Sequence, residues 1–548
     1  MVKKLFKLMP MPNLLCILFL GMTSKTSADP FAQLEQAKTY QKQRQYGQAE
    51  RIYQQILRDY TGTDHAFEAQ KNFIILYAIW DKQAQAETAF QQLLTSFSDH
   101  RDIAQAVHDI AYQHRLLHKY EKANQLDQHV IDNWPESDYA LLAQMDLAKH
   151  YVDRGAAAAE AAVDKLLVDF SDSPLIARAV HDVAQHYRQS GKYEKANELY
   201  RHVIDNWPHS EHAMWSEVDL IKTNIALGRD SVVKVAVDQL LADFTNNTFI
   251  AQAVHDIAYQ HRLSRKYEKA NQLDQHVIDN WPESDYALLA QMDLAKYYVN
   301  RGDTAAEAAV DKLLADFADN PLIARAIHDV AQHYSLSGRY EKANEHYQYV
   351  IDHWPQTEYA ELSRIDLAET NVLSLIDTGD DTTTDAALDN LIADFTEYPG
   401  LQESVFVIGE KYYNDAFRCE KEGKASQARE NFQKALQTWE IIITELPESI
   451  VTGWAYNFAA DCYRRAGQYE KAIEYYQKVV DVWPDYEYAW DALFRIGRNY
   501  ETLIKSELMS KTKAIPKIRA VYQQLLEQYP DCKAARYARR WLSRHNHR

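Results

Sequence analysis

Between residues 104 and 399 the side chains able to do chemistry fall into two stripes of equal spacing. An aspartate recurs every 36 or 37 residues, at Asp109, Asp146, Asp182, Asp219, Asp256, Asp293, Asp329 and Asp366, with Asn72 in register upstream. Aspartate is a poor residue inside a helix, so its recurrence needs an offsetting interaction. One is a ladder of hydrogen bonds between neighbouring segments. The other is a row of carboxylates facing a cation or a basic ligand. The ladder is the expected reading, because a partner site has little use for all eight copies.

The second stripe runs beside the first in alternate segments. Its members sit at i, i+4 and i+7: His108, Tyr112, Arg115; His181, Gln185, Arg188; His255, Tyr259, Arg262; and His328, Gln332, Ser335. Tyrosine rings stack on peptide or sugar, and arginine forks pair with carboxylates. The stripe therefore reads as a contact surface for an extended peptide or glycan, or as solvent-facing residues copied along with their framework. A metal site is not expected. His181 and His186 are five residues apart and His108 and His114 six apart, so neither pair shares a helical face as i, i+4 ligands do. His114 and His261 fall on an apolar face, where a hydrogen-bonded core histidine is the expected reading. No nucleophile elbow, zinc-protease helix motif, phosphate loop or glycine-rich dinucleotide turn is present. The expectation is a non-catalytic chain with no cofactor.

The elements that must position these stripes are marked by duplication. Lys119–Lys149 and Lys266–Lys296 are the same 31 residues. The tetrad YEKA begins at 120, 193, 267, 340 and 469, and fourteen residues later stand Trp134, Trp207, Trp281, Trp354 and Trp483. Phe170, Phe244, Phe317 and Phe395 fall midway, giving a unit of about 37 residues in two alternating flavours and roughly thirteen units. Each unit reads as two helices. Val107, Ile110, Ala111 and His114 form one face, and Ala123, Leu126, Val130 and Ile131 form another. Ser137, Ser210, Ser284 and Thr357 are expected N-caps, and Ser173-Pro174 an expected cap followed by a first-turn proline. The period lengthens from Phe395 to Leu446, where longer helices are expected, and again from Trp483 to Tyr529.

Composition agrees with an all-α chain. Gly and Pro number only 15 and 14 in 548 residues, too few for many hairpin turns between strands. Residues 1–28 read as a secretory leader: Lys3, Lys4 and Lys7, an apolar run over Leu14–Met22, then small residues at Thr26 and Ala28. Cleavage there moves the formal charge from −19 to −23, which disfavours nucleic acid and anionic lipid. The expected location is the periplasm or the outside of the cell, with no transmembrane span in the mature chain. Cys419, Cys462 and Cys532 then remain, an odd count that makes no disulfide framework.

Ala184–Pro208 carries a small residue in its first helix, Gly191-x-Tyr193 at the bend, Ala196 and Tyr200 in the second helix, and Pro208 at its end. This pattern resembles the tetratricopeptide repeat. In its unit length and Trp-Pro closures the chain is similar to periplasmic members such as the outer-membrane assembly lipoprotein and the Tol–Pal accessory protein. The resemblance implies an α-solenoid of about thirteen hairpins wound as a superhelix, with the His-Tyr-Arg stripe lining a concave groove. The expected layout is a leader (1–28), N-terminal hairpins (29–103), four double units (104–399), divergent hairpins with two insertions (400–531) and a basic capping helix or tail (532–548). The expected role is an exported scaffold for protein or peptide partners in the cell envelope. A glycan- or peptidoglycan-associated binding factor is the alternative, and a helical glycan-processing enzyme a more distant one.

Overall fold

The computed structural model describes residues 29–545; the expected leader lies outside them. Among the described residues there are 27 helices and no strand. The described residues divide into two compact units, one ending at Asn247 and the other beginning at Thr248.

The first unit holds six helical hairpins. They pair α1 (Pro30–Lys42) with α2 (Tyr46–Asp59), α3 (Asp64–Ile79) with α4 (Gln83–Ser96), and α5 (Ile103–Leu116) with α6 (Tyr120–Asn133). Then come α7 (Asp138–Arg154) with α8 (Ala156–Asp169), α9 (Ile176–Gln189) with α10 (Tyr193–Asn206), and α11 (Glu211–Ala226) with α12 (Asp230–Asp243). One contiguous apolar core runs through this unit from Leu34 to Val203.

The second unit begins with α13 (Ile250–Leu263) and α14 (Tyr267–Asn280), α15 (Asp285–Arg301) and α16 (Ala305–Asp316), α17 (Ile323–Leu336) and α18 (Tyr340–His353). It continues with α19 (Glu358–Thr378) and α20 (Asp381–Asp394), α21 (Leu401–Lys421) and α22 (Ala425–Thr444), α23 (Ile450–Arg465) and α24 (Tyr469–Val482). The last hairpin is α25 (Ala489–Lys505) with α26 (Lys511–Gln528), and α27 (Ala535–His545) packs on α26. Thirteen hairpins therefore occupy the described residues, each short of a stable core alone and buried by stacking on its neighbours.

Local chemistry explains the boundaries. The side chains of Ser137, Ser210, Ser284 and Thr357 each accept the backbone N–H three residues on, capping α7, α11, α15 and α19. Ser173 does not cap α9: that helix starts at Ile176, and the serine instead accepts from Leu175 N at 3.2 Å. Asn320 repeats this turn before α17, accepting from Leu322 N at 2.8 Å. The helices α5 and α13 begin at the same register, at Ile103 and Ile250, without a proline before them. Ala111 and Ala123 are fully buried where α5 crosses α6. At the bend between helices the backbone turns left-handed, through Gly191 (φ 73°) and Gly338 (φ 72°) but also through His118 (φ 57°) and Arg265 (φ 59°).

The lengthened period resolves into long helices. α21 has 21 residues and α22 has 20, against 14 each for α5 and α6. Trp439 stands fourteen residues after Ala425, the offset of Trp134 from Tyr120, yet α22 runs on past it to Thr444. The Trp439 ring is fully buried and its Nε1–H donates to Phe406 O at 3.2 Å. It sits directly over Gly409 of α21, where any Cβ would collide with the indole.

Candidate functional site

Within each unit the first helices pack on one another, α3 on α5, α5 on α7, α7 on α9, and likewise α13 on α15, α15 on α17 and α17 on α19. This row brings the two sequence stripes into one network. Side chains of one first helix reach the recurring aspartate of the next. Lys71 Nζ donates to Asp109 at 3.2 Å. Arg115 Nη1 donates to Asp146 at 2.9 Å, with His108 Nε2 at 3.4 Å from the same oxygen. Lys149 lies 3.8 Å from Asp182. Asp219 accepts from Gln185 at 2.9 Å and has His181 and Arg188 each at 3.8 Å, while Lys222 approaches from its own helix at 3.0 Å.

The second unit repeats the pattern. His255 is 3.4 Å from Asp293, which also accepts from Arg262. Lys296 donates to Asp329 at 3.4 Å. Gln332 donates to Asp366 at 2.9 Å, and His328 stands 3.7 Å away. Asp256 is half-buried at the equivalent place. The polar members of the His-Tyr-Arg stripe are thus spent largely on the next hairpin's carboxylate. Burial pushes the Asp146 and Asp219 carboxyls up, but hydrogen bonds and nearby cations outweigh it: His108 and Arg115 at Asp146, Lys222, Arg188 and Gln185 at Asp219. Both end below the usual range.

The tyrosines are placed differently. Tyr112 is 50% exposed and Tyr259 42%, each one turn before an exposed leucine, Leu116 at 56% and Leu263 at 58%. Gln185 and Gln332 hold the tyrosine register in the other two copies and pair with aspartate instead.

Two residues that matter here lie off both stripes. Asp127 and Asp274 occupy, in the second helix, the position that Tyr53, Tyr200, Tyr347 and Tyr476 fill in other hairpins. Both carboxylates are fully buried. Arg115 bridges Asp127 and Asp146, and Arg262 bridges Asp274 and Asp293. Burial raises Asp127 to about 7, against the pull of Arg115, and Asp274 to about 6, against Arg262. One oxygen of each, Oδ1, has no hydrogen-bond partner. Where tyrosine is present, His181 packs on Tyr200 and His328 on Tyr347, and their Nδ1 atoms bond Ser216 at 2.9 Å and Ser363 at 3.0 Å. The sequence signal was an aspartate where the register has tyrosine. Asp461 of α23 is a further hub outside the eight: it accepts from Tyr413, Arg465 and Arg495, each at 2.7 Å.

Among the described residues no group of three or more His, Cys, Asp or Glu is placed to bind a metal ion, and no helix is long and apolar enough to cross a membrane. Cys419 and Cys462 are buried thiols. Burial, reinforced by Asp461, raises the Cys462 thiol far above its ordinary range.

Models of the tetratricopeptide repeat match residues 412–485 and, in a second version, residues 31–63 and 491–531. The chain is a tetratricopeptide-repeat protein. The hairpins of residues 104–399 lie outside the matched segments and continue the same two-helix unit. No curated protein matches this tetratricopeptide-repeat chain. Among solved structures it is similar to the C-terminal part of a repeat protein from Cytophaga hutchinsonii, at 13% identity over 47% of this chain and 98% of that one, TM-score 0.29. A tetratricopeptide repeat protein from Parabacteroides merdae shows 12% identity over 58% and 98%, TM-score 0.29. Yeast Tom70 shows 11% identity over 94% and 95%, also at a TM-score of 0.29. Scores this low add nothing to the fold assignment, which rests on the helices and the repeat matches.

Proposed function

We propose that this tetratricopeptide-repeat protein is an exported, non-catalytic scaffold that takes an extended protein or peptide partner along its first helices, in assembly or maintenance of the cell envelope. Repeats of this family suggest protein binding, and a fold of this kind typically serves binding rather than catalysis. The observation that carries the reading is the exposure of Tyr112 with Leu116 and of Tyr259 with Leu263. These apolar pairs flank the polar network and offer exposed surface that a partner can cover. Export is supported by the basic start, apolar run and small residues of the first 28 positions.

The glycan reading has one observation of its own. Tyr120 and Tyr267 are also exposed, their rings tilted by 32° and 35° against those of His150 and Tyr297, and an exposed tyrosine ring is a surface on which a sugar stacks. Replacing Tyr112, Leu116, Tyr259 and Leu263 together by alanine should weaken capture of envelope partners with helicity unchanged; undiminished capture overturns the surface. Capture that disappears after muramidase digestion would instead favour the glycan. Mass spectrometry of the exported protein should find Asp29 as its first residue, and an intact Met1 would contradict export by this leader.

A further inference from the structure

A cleft of about 520 Å³ opens between the hairpins α3–α4 and α5–α6. Ile74, Ala78, Phe90, Ile110 and Leu126 line it with apolar surface. His114 of α5 lines it too, is only 6% exposed, and its Nδ1 has no hydrogen-bond partner. A buried polar atom left so is costly, and water or a ligand normally satisfies it. At the same place along the first helix, α9 and α17 carry the larger Tyr187 and Tyr334, both buried, where α5 and α13 carry His114 and His261.

Charge narrows what fits. Lys119 pairs with Asp81 at 2.7 Å and Lys122 with Glu87 at 2.6 Å, and Arg154 and Glu121 add one charge of each sign at the rim. Burial, with Lys119 and Lys122 nearby, pushes the His114 pKa down to about 4. The imidazole is therefore neutral near pH 7, able to give or accept one hydrogen bond without drawing an anion. The volume lies in the range of small-molecule sites, which run to roughly 300–1,000 Å³.

We infer that this cleft is a binding site for a small uncharged aromatic molecule carrying one hydrogen-bonding group, with His114 as its polar anchor. The inference stands independently of the first-helix surface. The test uses the full chain and 4-methylphenol as probe, with benzoate as its charged counterpart, followed by calorimetry and by the His114 ring resonances in NMR. The phenol binds saturably and moves those resonances, and benzoate binds more weakly. His114→Tyr fills the space as Tyr187 and Tyr334 do and abolishes binding. His114→Leu keeps the cleft open but loses the hydrogen bond, weakening affinity by about tenfold, the worth of one such bond. No saturable phenol binding, equal binding of benzoate, or full affinity in His114→Tyr would each overturn the site. Wild-type affinity in His114→Leu would remove the anchor. If His114→Tyr loses its helical signal, the wild-type resonances decide: a saturable shift supports the site and unmoved resonances refute it.

Discussion

Asp127 and Asp274 are single side chains through which stability depends on pH. Each is a carboxyl buried among Arg, Asp and His: Arg115, Asp146 and His108 around the first, Arg262, Asp293 and His255 around the second. Their folded pKa values of about 7 and about 6 lie above the unfolded value near 3.9. The native state thus holds protons that the unfolded chain has released. Their contribution is fully present below about pH 4 and is lost as pH rises through 6 to 7. Asp127→Asn should flatten that fall, seen as a smaller difference in urea midpoint between pH 5 and pH 8 than in the wild type. An unchanged difference would mean that Asp127 is ionised throughout. A second residue-level test concerns Arg265, held at φ 59° where equivalent bends use glycine. Arg265→Gly should stabilise by about 0.5–1 kcal/mol in denaturant unfolding, since a side chain in left-handed backbone is strained.

At the scale of the element, the helical hairpin was legible in the sequence because its marks are local. Small residues at the crossing, a capping Ser or Thr and an aromatic at a fixed offset from YEKA each act within one unit. Ser173 misled because Ser-Pro is equally the start of a turn, and only the helix's real onset at Ile176 separates the two. The long hairpin α21–α22 was legible as an interruption, but not its register, because Trp439 lacks the proline that follows the other tryptophans. Its packing yields a prediction. Gly409→Ala adds a Cβ into a ring that has no free space, so the hairpin must spread. The cost should be about 1–3 kcal/mol, the range for overpacking a core, and Trp439 fluorescence should report it. Alanine tolerated without loss would mean that α22 can slide on α21.

At the scale of the molecule, the candidate site was half legible. The positions of both stripes could be read from the period, but their meeting could not, because the partner of each side chain lies about 31 to 38 residues away in the next hairpin. Packing first helix on first helix turns His108, Arg115, Gln185 and Lys71 toward aspartates and leaves Tyr112, Leu116, Tyr259 and Leu263 as the exposed remainder. The central claim is that this remainder is what a partner touches. Site-specific photo-crosslinking tests it most directly, with a benzophenone side chain placed at Tyr112, Leu116, Tyr259 or Leu263 and, as controls, at Gln128 and Gln275 on second helices. The account predicts crosslinks to a common partner from the four first-helix positions and none from the controls; crosslinks confined to Gln128 and Gln275 would contradict it.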